Sequence, residues 1–201
     1  MKCGALADRI GLVMRVHLLR GADEEGALRP TDGFDWAGLG GVPYMGRWPE
    51  PGLAPYDGVA WRGLDCAVLS AATDGIVVSE RAEAALREAM VGSGEVWPVR
   101  VAGGRYLWVN VLAETDALGV GTEGEFVEGF LLTVRRLAFR SLAVLDAPGI
   151  FRVPELPSGY LFARDRVVDA AAGLSGFRFD LVWSADGGGV WDAPGLGTLG
   201  T

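Results

Sequence analysis

The chain has 201 residues, 50% of them hydrophobic and 22% charged, which fits one globular domain with a core of useful size, or two very small ones. Its formal net charge of −8 and pI near 4.7 oppose affinity for nucleic acid or an anionic membrane surface. No apolar run reaches the roughly 18 residues of a membrane span. Asp8, Arg9 and Arg15 interrupt any signal-peptide order at the N-terminus, so the expected location is the cytoplasm.

In chain order, "RIGLVMRVHLL" (9–19) is rich in β-branched and large apolar residues and reads as an opening strand. From Gly21 to Gly58 the chain turns to Gly, Pro, Asp and aromatics. This is expected to be a long irregular segment pinned onto the body by Trp36, Tyr44, Trp48 and Tyr56. Ile76 to Val78 reads as a short buried strand and Ser79 as the N-cap of a helix over 80–91. Glu80 and Glu83 suit its first turn, and Glu83 and Arg87 are spaced for an i,i+4 pair. Ala82, Ala85, Leu86, Ala89 and Met90 form its apolar face, and Gly92 or Gly94 ends it. "EVWPVRV" and "RYLWVNVL" around "AGG" predict a hairpin.

"GEFVEGFLLTVRRLAFRSLAVLDA" reads as further strand with a break near Arg135 and Arg136, and "GIFRVPEL" as a short strand stopped by prolines. Tyr160 to Ala163 predict a strand, Asp165 an N-cap, and Val167, Val168 and Ala171 the apolar face of two helical turns. "FRFDLVW" alternates, with Phe177, Phe179, Leu181 and Trp183 on one face. The tail 184–201 is Gly-rich and expected to fray. Two strand–helix–strand devices therefore recur, at 76–101 and 160–182. The expected fold is α+β: a single domain over 1–183, a mostly antiparallel or mixed sheet with two short helices.

Catalytic constellations are missing from this pattern. His17 is the one histidine and lies inside a predicted strand, so any Ser-His-Asp or Cys-His arrangement must recruit it. Cys3 and Cys66 give neither a disulfide framework nor a metal spacing, and both are expected to be free buried thiols. "GVGTEG" (Gly119, Gly121, Gly124) satisfies G-x-G-x-x-G, but the residues after it read as strand and acids crowd it, which argues against a phosphate cradle. No metal or cofactor is expected. Seventeen arginines against the single Lys2 reflect base composition, not function. Acids cluster in "GADEEGALRPTDGFD" and in "ETDALGVGTEGEFVE" (114–128), either as a solvated surface or as a face for a basic partner.

Read in order, "GIVVSERAEAAL", "WPVRVAGGRYLWVNVLAETDAL" and "GIFRVPELPSGYLFARDRVVDAAAGLSGFRFDLV" resemble the bacterial immunity proteins of polymorphic toxin systems. The family is immunity protein family eleven, a myxobacterial-type immunity domain. The matching positions are Ser79-Glu80-Arg81, Pro98-Val99, Tyr106 to Leu118, Ile150 to Val153 and Leu161 to Phe179, within a family-like core at about 57–183. The chain departs from the pattern at Gly119, where the family has Asp, and at Arg164-Asp165, where it has "SD". The resemblance implies a non-catalytic protein that binds a cognate toxin, encoded by a neighbouring gene, and protects the producing cell. The expected binding surface is Glu123, Glu125 and Glu128, backed by Asp23, Glu24 and Glu25. Two other readings stay open. One is a small-molecule-binding or regulatory domain with a pocket against Phe34–Trp61; the other is an enzyme with unrecognised acid chemistry.

Overall fold

A computed structural model describes residues 13–21, 27–36, 39, 41–56, 61–69 and 74–187. The α+β class holds, and the sheet is divided into three parts. One is a closed barrel in the order β2 (Ala27–Pro30), β3 (Gly52–Pro55), β6 (Gly94–Val101), β7 (Gly104–Val111), β5 (Gly75–Ser79), β4 (Cys66–Leu69). The second is a four-stranded antiparallel sheet: β10 (Ile150–Phe151), β11 (Leu161–Arg164), β1 (Arg15–Gly21), β12 (Phe177–Ser184). The third is a hairpin of β8 (Glu123–Val127) and β9 (Phe130–Arg136). The helices are α1 (Glu80–Leu86), α2 (Ser141–Asp146) and α3 (Asp165–Ala170).

Side-chain alternation explains how these parts stack. On β5, Val77 joins Leu28, Leu53, Val99, Val101 and Trp108 in one cluster, while Ile76 and Val78 face the other way. That second face meets Leu19, Leu161 and Ala163 of the four-stranded sheet, with Leu86 of α1 and Val167 of α3 packed between. The opposite face of the same sheet, Val16, Leu18 and Phe162, is covered by Leu131, Leu137, Phe139 and Val144. Strands buried on both faces read as continuous apolar runs, and "GIVV" is one.

The two recurring devices share a topology. β5 and β6 run parallel to each other on either side of antiparallel β7. β11 and β12 do the same on either side of β1. In the first copy the middle strand follows the device; in the second it is the first described strand of the chain. Helices α1 and α3 pack together in the shared cluster.

Asp65 binds these layers by hydrogen bonds. Its buried carboxylate accepts from Arg81 on α1, from the Ser79 hydroxyl at 2.7 Å, and from the amide and hydroxyl of Ser175, both at 2.9 Å. Ser79 also caps α1 by accepting from Ala82 N at 3.1 Å. Ser175 lies between α3 and β12, so one carboxylate fixes a barrel strand, a helix start and the turn into the other sheet. Gly176, at φ +83°, has no room for a Cβ against the Cys66 carbonyl oxygen. The Arg81 guanidinium, aided by Ser175 and Ser79, holds the Asp65 carboxyl well below the usual carboxylate range against the opposing effect of burial. Burial, helped by Asp65, pushes the Cys66 thiol up and keeps it inert.

Several local expectations change. The segment after Gly21 contains strands β2 and β3, because barrel closure recruits short runs of weak intrinsic signal. "SLAVLD", read as strand, is helix α2, whose last carbonyls at Leu145 and Ala147 accept from Arg164. Ala85 is exposed, since the 3.6-residue turn carries it off the stripe of Ala82, Leu86 and Ala89. Val168 is half-buried, and Val167 takes the core position. Arg164, not Asp165, is the N-cap of α3; the Asp165 carboxylate instead meets His17 Nε2 at 2.9 Å. Alternation along β12 breaks at a bulge, where Val16 pairs with Trp183 and His17 with Leu181. Val182 is thereby buried and Leu181 exposed. Cys3 and most of the tail at 184–201 lie outside the described residues.

Leu86→Asp is expected to cost about 3 kcal/mol or more in urea denaturation, because it buries an unpaired charge. Ala85→Asp should stay within about 0.5 kcal/mol of the parent. The Asp65 cluster sets an acid limit. A depressed folded-state pKa contributes stability that is fully present above the unfolded value, about 3.9, and is lost as pH falls below it. Asp65→Asn should flatten the fall of stability between about pH 5 and pH 2; an unchanged pH profile would show that Asp65 is not the group responsible.

Candidate functional site

The end of the acidic stretch that the sequence singles out, 123–128, folds into the β8–β9 hairpin. All five residues of β8 are exposed, as is Glu128. Glu128 and Gly129, at φ +50° and +90°, form the two-residue turn between the paired Val127 and Phe130, the backbone twist that tight hairpins favour. Glu123, Glu125 and Glu128 therefore stand together on one projection. Glu123 lies 3.6 Å from Arg136 in a solvent-exposed pair of little energetic weight. The projection also carries exposed apolar side chains: Phe126, Val127 and Phe130 are 50%, 44% and 52% accessible. Leu131 and Val134 of β9 are buried and anchor it to the core beneath the four-stranded sheet. Asp23, Glu24 and Glu25 lie outside the described residues.

Beside the hairpin is a cleft of about 190 Å³ lined by Phe130, Tyr160, Leu156, Glu114, Asp74 and Arg152, among others. Arg152 organises its floor. Its Nη1 meets Asp74 Oδ2 at 3.0 Å, and its Nη2 meets Glu114 Oε1 at 2.8 Å and the Gly41 carbonyl at 3.3 Å. Asp74 is almost fully buried and takes a further hydrogen bond from Gly159 N at 2.9 Å. Gly41, at φ +65°, is needed here: a Cβ would run into the guanidinium. One arginine thus holds the irregular segment, the start of β5, the chain after β7 and the β10–β11 connection. Burial raises the Tyr160 hydroxyl pKa, partly offset by Arg20.

Sequence analysis does not single out Arg152 or Asp74, and it places Glu114 only within the acidic stretch 114–128. A signal existed: an arginine in "GIFRV", between residues that must be buried, requires an acid partner. The identity of that partner, 78 residues away, is set by the fold alone. The aromatics of the irregular segment serve as anchors. Trp36 is buried against Trp108, with ring centroids 5.3 Å apart; Trp48 stacks on Trp97 at 5.4 Å and donates from Nε1 to the Pro98 carbonyl. Tyr56 is exposed and is not such an anchor. His17 sits on β1 with its ring nearly perpendicular to that of Phe179. Gly124 lies within β8, not at a helix start, so the glycine motif has no phosphate-binding geometry. No helix among the described residues is long and apolar enough to cross a membrane.

No protein-family model matches the chain, and no curated protein matches it.

Arg152→Ala is expected to cost about 3–5 kcal/mol, because it strands the buried Asp74 carboxylate. Asp74→Asn in the same background should restore part of that loss, with a coupling of about 1 kcal/mol or more in a double-mutant cycle. Additive effects in the cycle would contradict the pairing.

Proposed function

We propose that this protein is an immunity protein: it binds a cognate bacterial toxin without catalysis, neutralises it, and so protects the producing cell in a polymorphic toxin system. The ordered set of motifs from Ser79-Glu80-Arg81 to Leu161–Phe179 carries the reading. The physical observation that supports it is the projecting hairpin, where three exposed glutamates accompany three exposed apolar side chains. Partner surfaces combine an apolar centre with a polar rim, and charges beside it steer the approach of an oppositely charged partner. The acids favour a basic toxin and would act mainly on its rate of approach. Protection at low concentration calls for a nanomolar or tighter complex, about −12 kcal/mol or better.

A second reading, a small-molecule-binding or regulatory domain, draws on the cleft beside Arg152. It ranks second because about 190 Å³ falls below the roughly 300–1,000 Å³ of small-molecule pockets. Its expected pocket against Phe34–Trp61 coincides with aromatics that pack on one another and on the barrel.

Co-expression with the toxin gene beside its own is expected to restore survival, and the two purified proteins to form a complex. No rescue and no complex at micromolar concentrations would end the reading for that pair. Replacing Glu123, Glu125 and Glu128 together by Ser should slow association about tenfold at low salt, with little effect at high salt and no loss of stability.

A further inference from the structure

We infer that the open edge of β8 receives an extended, basic segment of the partner, which joins the β8–β9 hairpin as a third strand; this deepens the partner-binding reading above and rests on it. The two edges of the hairpin differ. The outer edge of β9 is engaged, since Leu131 N donates to the Glu155 carbonyl at 2.7 Å. Among the described residues, the backbone of β8 pairs with β9 and with no other segment.

The register says which groups the open edge offers. Val127 and Phe130 flank the two-residue turn and form a hydrogen-bonded pair, so the next pair, Phe126 and Leu131, turns its N–H and C=O groups outward. The bond from Leu131 N to Glu155 fits that assignment on the β9 side. The N–H and C=O of Phe126 therefore point from the unpaired edge. Both register shifts leave their extra residue, Leu132 or Arg135, on β9, so β8 keeps an unbulged backbone that a strand can follow.

The side chains select the strand. Glu123, Glu125 and Val127 alternate onto one face of β8 and all are exposed. Their complement is two basic side chains and one apolar side chain at alternate positions, and strand addition reads such a pattern while the main chain supplies hydrogen bonds. A second copy of this chain is disfavoured, because antiparallel self-pairing centred on Gly124 or Glu125 sets glutamate opposite glutamate. Acids on a free edge also keep stray strands away, but that role does not require Phe126, Val127 and Phe130 to be exposed beside them.

The test uses a fluorescein-labelled peptide with two arginines and one valine at alternate positions, threonine between them, and a control with glutamates for the arginines. Binding is read by anisotropy on the full chain and on Phe126→Ala and Phe126→Pro. Both variants remove the ring, and only Pro removes the outward N–H, at an edge position where proline is tolerated. The arginine peptide should bind and the glutamate peptide should not, and Phe126→Pro should bind about fivefold more weakly than Phe126→Ala. If Phe126→Pro does not fold, protection of the Phe126 amide from exchange by the arginine peptide replaces it. Three results would overturn the proposal: no binding of the arginine peptide up to about 1 mM, equal affinity of the two peptides, or a dimer through β8 in sedimentation. Survival in the co-expression assay is scored separately, so an immunity protein that binds its toxin elsewhere is distinguished from a protein that is not one.

Discussion

Arg152 is the constraint on which much of this fold depends. A guanidinium with little solvent contact is stable only if charge and hydrogen bonds surround it. Here Asp74 and Glu114 supply the charge, and Gly41 supplies a carbonyl. Those groups come from segments far apart in sequence, and pairing the two Nη atoms of one guanidinium fixes all of them. The Asp65 cluster does the same at the other junction, joining β4, the start of α1 and the turn before β12. Two polar knots thus set how the barrel and the four-stranded sheet meet, while the apolar cluster of Leu19, Ile76, Leu86, Leu161 and Val167 supplies the burial between them. Apolar contact is non-directional, and polar knots of this kind select one arrangement among those the hydrophobic pattern permits.

A body held in this way separates scaffold from surface. The tryptophans of the irregular segment pack against the barrel, and the carboxylates at the junctions are paired with arginines or capped by hydroxyls. The β8–β9 hairpin is different. It packs through Leu131 and Val134 and presents charged and apolar side chains together. Two-stranded sheets are marginal alone, so this one depends on those buried anchors for its shape. A projection fixed at its base and open along one edge suits a protein whose task is to be bound.

Much of the fold was legible in the chain. The continuous apolar run "GIVV", the Ser79 cap and the "AGG" turn fix local geometry through nearby residues, and β5, α1 and the β6–β7 hairpin follow them. What was not legible depends on distant residues. "SLAVLD" follows a long strand-like run and is too short to show helical spacing, yet it is helical: its Leu and Ala favour helix, its buried Val144 fits the core on one turn, and Arg164 satisfies its end. β2 and β3 exist because the barrel must close, each through a parallel pairing with a strand far along the chain. The bulge at Val16 and His17 turns Val182 inward, which alternation in "FRFDLVW" had assigned to the other face. For the candidate site, charge density alone located Glu123, Glu125 and Glu128. The edge of β8 and the Arg152 cleft appear only once strand pairing and partners are known.

If a partner engages the hairpin as proposed, the scaffold stays as it is. Hydrogen–deuterium exchange of the chain, free and in complex with the proposed toxin partner, separates the two outcomes. Amides in 123–130 should gain strong protection in the complex, with the barrel amides of β5 and β7 unchanged. Protection confined to other surfaces, with 123–130 exchanging as fast in the complex as in the free chain, would contradict the proposal.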